Sequence, residues 1–156
     1  MSSTILLCAL GIGFVAGLRV NTALAVVGLG AHLGWINLAG TRLAFMGMKW
    51  AVGVFVLAAL FEYVYDQLPS AAARTTPGPL TARILSGAFT GVCVAVAAAS
   101  SAVAGALLGA IGALVGAFGG YKARVGLVKA LGVPDFVIAI PDDLLAIAVA
   151  VLAVKR

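Results

Sequence analysis

Between Arg83 and Lys122 the chain runs for 38 residues without a charged side chain. A single helix of that length would extend about 57 Å, nearly twice the roughly 30 Å of hydrocarbon in a bilayer. The run therefore predicts two membrane spans joined by a tight turn near Ser100-Ser101. The rest of the chain has the same character: 63% of its 156 residues are apolar and 10% are charged, with a mean hydropathy of +1.19. Soluble domains carry charge on about a quarter of their residues, and so little charge cannot solvate the surface of a small globule. A soluble enzyme is excluded. The predicted fold class is all-α, a polytopic integral membrane helical bundle.

Further charge-free stretches, 1–18 before Arg19 and 20–41 before Arg42, are close to the roughly 20 residues a span needs. Two others are shorter. Residues 50–61 separate Lys49 from Glu62, and 144–154 separate Asp143 from Lys155; the latter reaches only about 17 Å as a helix. Either these segments cross the membrane partially, or Glu62, Asp142 and Asp143 lie at or below its interface. The expectation is a single transmembrane domain, 1–156, with spans at roughly 4–20, 22–40, 47–67, 82–100, 102–121 and 136–154. Pro134 and Pro141 predict short or broken helices near 132–143. Both termini then share one side of the membrane. Arg19, Arg74, Arg83, Lys122, Arg124 and Lys129 gather on the other, against Arg42, Lys49, Lys155 and Arg156 on the terminal side. That bias mildly places the termini outside the cytoplasm.

The excess of basic over acidic residues, a formal +5, is scattered singly between apolar runs. It suits loops beside lipid headgroups, and no basic stripe with interleaved aromatics predicts a nucleic-acid partner. The start, Met1-Ser2-Ser3-Thr4, lacks the positive region of a secretory signal, so the first apolar run reads as a retained helix. Cys8 and Cys93 sit alone in apolar runs and His32 is the single histidine. These make neither a zinc site nor a disulfide framework, and no cofactor or metal is expected. His32, midway along the predicted second span, reads as a buried hydrogen-bonding residue. Trp35 and Trp50 fit an interfacial aromatic belt.

Glycines repeat at four-residue spacing as Gly13/Gly17, Gly30/Gly34, Gly105/Gly109 and Gly112/Gly116/Gly120. On a helix each set lines one face and lets a second backbone approach closely. Packing within the bundle is the first use of such faces; contacts in a homo-oligomer are the other. A shift of 103 residues also superposes Gly13, Gly17 and Arg19 on Gly116, Gly120 and Lys122, the pattern of a duplicated two-span unit.

Three polar constellations carry what chemistry the chain has. Arg19 and Asn21 join the first and second spans with almost no loop. Glu62 and Asp66 stand one helical turn apart on one face, before Pro69 ends the helix and a linker with Arg74 to Pro79 follows. They read either as a solvated helix end or as an ion or proton site. Pro141 suits a first helical position and places Asp142 and Asp143 at the positive end of the last helix. They read either as an acidic cap at the headgroups or as part of a site on a discontinuous helix, as transporters build them.

In these segments the chain resembles a bacterial membrane family known as domain of unknown function 4126. The resemblance lies in Ala16-Gly17-Leu18-Arg19, in Asp66-Gln67-Leu68-Pro69 with Arg74-Thr75-Thr76-Pro77 leading to Gly87-Ala88, in Lys122 through Pro134, and in Asp142-Asp143-Leu144-Leu145-Ala146. Together these cover nearly the whole chain in order. The chain departs from the family pattern at Gln67, where that pattern has lysine, and after Pro69, where it has an acidic residue. It departs again at Asp142-Asp143, where the pattern has a glutamate-aspartate pair. The resemblance implies a multi-span protein of the bacterial inner membrane and implies no activity.

The functional expectation is a small transporter or channel for an ion or small solute, not an enzyme. Its site would be formed by Arg19, Asn21, Glu62, Asp66, Asp142 and Asp143, the acids binding a cation or proton, with Arg19, Lys122 and Arg124 balancing charge or meeting an anionic solute. The alternative is a non-catalytic membrane assembly or lipid-binding protein, whose basic loops meet lipid phosphates.

Overall fold

The computed structural model of the chain describes residues 3–66 and 75–155. They form six α-helices: α1 Ser3–Leu18, α2 Val20–His32, α3 Lys49–Tyr65, α4 Pro77–Ala97, α5 Ala102–Leu131 and α6 Asp135–Val154. One turn of 3₁₀ helix, Ala44–Gly47, precedes α3, and no strand occurs among the described residues. α4, α5 and the Val137–Val154 part of α6 are long and apolar enough to cross a membrane; α1 and α2 are shorter apolar helices.

Local sequence explains most of the ends. α4 starts on Pro77, whose missing N–H costs nothing in a first turn. The turn between α4 and α5 falls at the serine pair. Ser101 takes extended backbone and its hydroxyl accepts the Ala104 N–H at 3.3 Å, capping α5. Gly132, at φ +62°, ends α5 in the left-handed conformation that favours glycine.

The glycine stripes pack inside the chain. α5 lies between α1, with which it runs parallel, and α4, with which it runs antiparallel. A methyl group on Gly13 would overlap the Gly109 carbonyl, and one on Gly109 would overlap the Gly87 carbonyl. Gly112 and Gly116 meet α1 at Leu10 and Phe14 in the same way, so three backbones share space that side chains would fill. Around this seam Ile12, Val15, Leu18, Val27 and Val94 are fully buried, and Ala146 and Ala150 bring α6 onto the core. Cys8 and Cys93 are buried free thiols.

Four expectations are corrected. The second helix stops at His32, not near residue 40, because Gly34 and Gly40 turn the chain at φ +77° and +74°. The loop that follows is nonetheless apolar, since Ile36, Leu38 and Met46 fold back into the core. His32 is therefore an exposed helix end, with ring Nδ1 2.9 Å from the Gly47 carbonyl oxygen. α5 continues through Leu131, well past Lys122, while α1 stops just before Arg19; the two halves of the suspected repeat differ at that point. Finally, α6 is not broken at Pro141. The break lies at Gly132–Pro134, and α6 runs through Pro141 to Val154. Gln67, Pro69 and Arg74 lie outside the described residues.

Candidate functional site

A helix break with charged partners

α1 and α2 are separated by one residue. Arg19 takes extended backbone, φ −145° and ψ 108°, and α2 leaves in a new direction from Val20. Such a break strands the last carbonyls of α1 and the first N–H groups of α2. Inside a membrane no water is there to satisfy them. Two side chains from other helices do so instead. The Glu62 carboxylate, from α3, accepts the Val20 N–H at 2.8 Å and the Asn21 N–H at 2.7 Å. The Arg83 guanidinium, from α4, donates to the Leu18 carbonyl at 2.9 Å and the Gly17 carbonyl at 3.2 Å. Each charge also has the sign that suits its helix end: the anion sits at the positive end of α2, the cation at the negative end of α1. Ser86, one turn along α4 from Arg83, donates to the Val20 carbonyl at 2.9 Å.

Arg19 itself turns inward and is 1% exposed. Its Nε donates to Asp143 of α6 at 2.8 Å, and its Nη2 donates to the same carboxylate oxygen. Its Nη1 donates to Asp66 at 2.7 Å, and the guanidinium lies 4.8 Å from the centre of the Tyr63 ring. Tyr63 and Thr22 share a hydroxyl contact at 3.2 Å. One arginine thus ties the end of α3 and the third turn of α6 to the α1–α2 break. Removing either carboxylate leaves a buried cation short of a partner, which is costly.

Helix rise places this centre inside the helical bundle, away from the helix starts of α4 and α6. Arg83 lies six residues into α4 from Pro77, about 9 Å, and Asp143 eight residues into α6 from Asp135, about 12 Å. From Asp143 to the end of α6 at Val154 is about 17 Å. The far end is marked by Lys155 over the Trp35 ring and by exposed Trp50, residues typical of an interface. Asp143 therefore stands in the first half of α6, with the longer apolar part of the helix beyond it. A cleft of about 300 Å³ beside the charged centre is lined by Asn21, Glu62, Asp66 and Arg83, with Phe61 and Tyr65 at its rim.

Of the residues singled out by sequence, Arg19, Glu62, Asp66 and Asp143 come together, and Asn21 contributes its backbone N–H. Asp142 and Arg124 do not join them; they line a separate groove between α5 and α6. Lys122 is exposed on α5 and stands in neither place. Sequence reasoning missed Arg83, Tyr63, Thr22 and Ser86. A signal for Arg83 was present: Pro77 and Pro79 mark a first helical turn, which puts Arg83 in the second and below the helix end. For Tyr63, nothing beyond its place next to Glu62 pointed inward. Among the described residues no group of three or more His, Cys, Asp or Glu is placed to hold a metal ion.

No curated protein and no solved structure matches the chain. The sequence pattern of one family, described as Domain of unknown function (DUF4126), matches residues 6–156. That match takes in α2 through α5, most of α1 and all of α6, with every charged residue of the Arg19 centre, and the chain belongs to this family.

Proposed function

We propose that this protein is a small transporter or channel of the bacterial inner membrane, passing a proton or small cation through the Arg19 centre. The observation that carries the reading is a buried arginine at a helix break in an apolar bundle, bridging carboxylates from two other helices. Ionisable groups at membrane depth are expensive and mark ion or proton pathways, and broken helices are where transporters gather them. Charge decides which solute. Among the described residues Glu62, Asp66 and Asp143 face Arg19 and Arg83, three acids against two bases when all are ionised. A cation or proton completes the centre. Arg19 spends its donors on protein carboxylates and balances charge there; it is not the group that meets an anionic solute.

The protein works by moving its solute and carries out no bond chemistry. If copies of the chain assemble, they do so through lipid-facing surfaces, because the glycine seam of α1, α4 and α5 is occupied within the chain. The test is ion and proton flux into proteoliposomes, wild type beside Asp143→Asn and Asp66→Asn, with folding followed by thermal unfolding. Flux in the wild type that disappears in a folded variant supports the reading. Undiminished flux in both folded variants removes these carboxylates from the pathway, and no flux in well-folded wild type for protons or any common monovalent cation overturns it.

A further inference from the structure

The two ends of the bundle differ in charge. Glu62 and Asp66 stand at the end of α3, and Asp135, Asp142 and Asp143 in the first half of α6, so all five acidic residues lie toward the Arg19 end. The opposite end, where α2 stops, α3 starts and Val154 of α6 meets Gly30, carries Arg42, Lys49 and Lys155 and no acid among the described residues. All three are exposed. Neither Arg42 nor Lys49 has an ion pair or a side-chain hydrogen bond among the described residues, and Lys155 lies over the Trp35 ring at 5.6 Å. The loop between α2 and α3 also leaves a groove of about 500 Å³, within the roughly 300–1,000 Å³ range of small-ligand sites. Ile36 and Leu38, both buried, line it together with exposed Asn37, Ala39 and Met48. Asn37 accepts the Ala39 N–H on Oδ1 at 3.0 Å, which leaves its two amide N–H donors unused among the described residues. Lys49 directly follows Met48, and Arg42 precedes Ala44, another lining residue, by two.

We propose that this groove binds an anionic phospholipid, with Asn37 and the flanking Arg42 and Lys49 as the groups that take its phosphate. The argument is charge complementarity beside an apolar groove. Three basic side chains with no acid to offset them attract an anion, and those at Arg42 and Lys49 are not spent on protein partners. Arginine and the Asn37 amide meet phosphate oxygens through N–H donors, and lysine meets them as a point charge. A zwitterionic lipid brings an ammonium or choline as well, for which this end has no carboxylate. The groove walls decide for a lipid over a soluble phosphate: they are mostly alanine, glycine, isoleucine, leucine and methionine, suited to glycerol and the first methylenes of a chain. Leu33, Met48 and Trp50 stand exposed around them, and tryptophans with lysines are the usual furniture of a membrane interface. The site is at the other end of the bundle from the Arg19 centre and does not rest on the transport reading.

The test is thermal unfolding of the full-length protein in uncharged detergent with added phosphatidylglycerol, phosphatidylethanolamine or phosphatidylcholine of matched acyl chains, and with soluble glycerol phosphate. A ligand that binds the folded state raises Tm by mass action. The expected result is a rise of several degrees for phosphatidylglycerol over the other three, which shrinks as salt is added. Two changes at exposed positions abolish that preference: the double variant Arg42→Gln, Lys49→Gln, which removes the charges, and Ala39→Trp, which fills the groove. The double variant Lys122→Gln, Lys129→Gln, at the opposite end of the bundle, keeps it. No rise with phosphatidylglycerol, or an equal one with all three lipids, overturns the assignment. A rise with glycerol phosphate as large as with the lipid shows a site for free phosphate and overturns it too. So does a preference that survives in folded Arg42→Gln, Lys49→Gln or Ala39→Trp protein, or one that is lost with Lys122 and Lys129.

Discussion

Two places in this chain invite a helix to break, and they behave in opposite ways. α6 contains Pro141, which cannot donate to the Val137 carbonyl, yet the helix runs straight through it. The stretch Leu18-Arg19-Val20 contains no proline or glycine, yet there the helix stops and restarts across one residue. What separates the two is the supply of partners. At Arg19 the stranded N–H groups meet Glu62 and the stranded carbonyls meet Arg83. In α6, breaking at Pro141 would strand several more backbone groups, whereas continuing forfeits one hydrogen bond in the second turn. In a medium without water, a helix breaks where other helices bring charges to its open ends, and local propensity comes second.

The largest effect should come from removing one of those charges. Glu62→Ala leaves two N–H groups of α2 without an acceptor and unbalances the two buried arginines. Breaking a buried ionic contact from one side costs about 3–5 kcal/mol. Glu62→Gln keeps one carbonyl acceptor and gives up the charge, so its loss is smaller, about 1–3 kcal/mol. Equilibrium unfolding in mixed micelles separates the two. Equal, small losses for both variants would mean that the break is held by packing alone, and the contrast drawn with Pro141 would fail.

A middle-sized effect belongs to the seam that holds α1 in place below the break. In Gly112→Ala the new methyl overlaps the Leu10 carbonyl of α1, and the helices must part. Overpacking of this kind costs about 1–3 kcal/mol. Gly119→Ala, about two turns further along the same helix in open space, should be neutral or slightly stabilising. The pair is compared by the same unfolding measurement. If both substitutions are silent, the α1–α5 contact does not position Arg19, and the charged partners act alone.

Much of this arrangement was legible in the sequence. The charge-free run between Arg83 and Lys122 gave two helices, and Ser100-Ser101 marked their turn. The alternation of spans brought Arg19, Glu62, Asp66 and Asp143 to one end, where the structure joins them. The end of α2 was not legible, because the loop after His32 buries Ile36, Leu38 and Met46 and is as apolar as a span. Hydropathy reports burial, and it cannot say whether the buried backbone is helical. Nor could sequence place the break at Arg19 and not at Pro141. The partners that decide it, Glu62 and Arg83, are more than 40 residues away from Val20 and Leu18.

The smallest predicted effect is also the most direct comparison of the two sites. In Pro141→Ala the restored N–H can bond the Val137 carbonyl and the ring no longer crowds the preceding turn. If α6 is continuous, this substitution repairs a helix, and stability changes by less than about 1 kcal/mol, toward stabilisation. Against it stands the loss of the stiffness proline gives the unfolded chain, which is of similar size and opposite sign. If instead α6 were divided at Pro141, with Asp142 and Asp143 capping a new helix, alanine would favour joining the halves and would pull Asp143 away from Arg19. Unfolding would then show a loss of the size expected for Asp143→Asn, several kcal/mol by the same argument as for Glu62. The two outcomes differ in sign as well as size. The continuous helix is the one that keeps Asp143 on the arginine and leaves Asp142, the next residue, facing the groove beside α5.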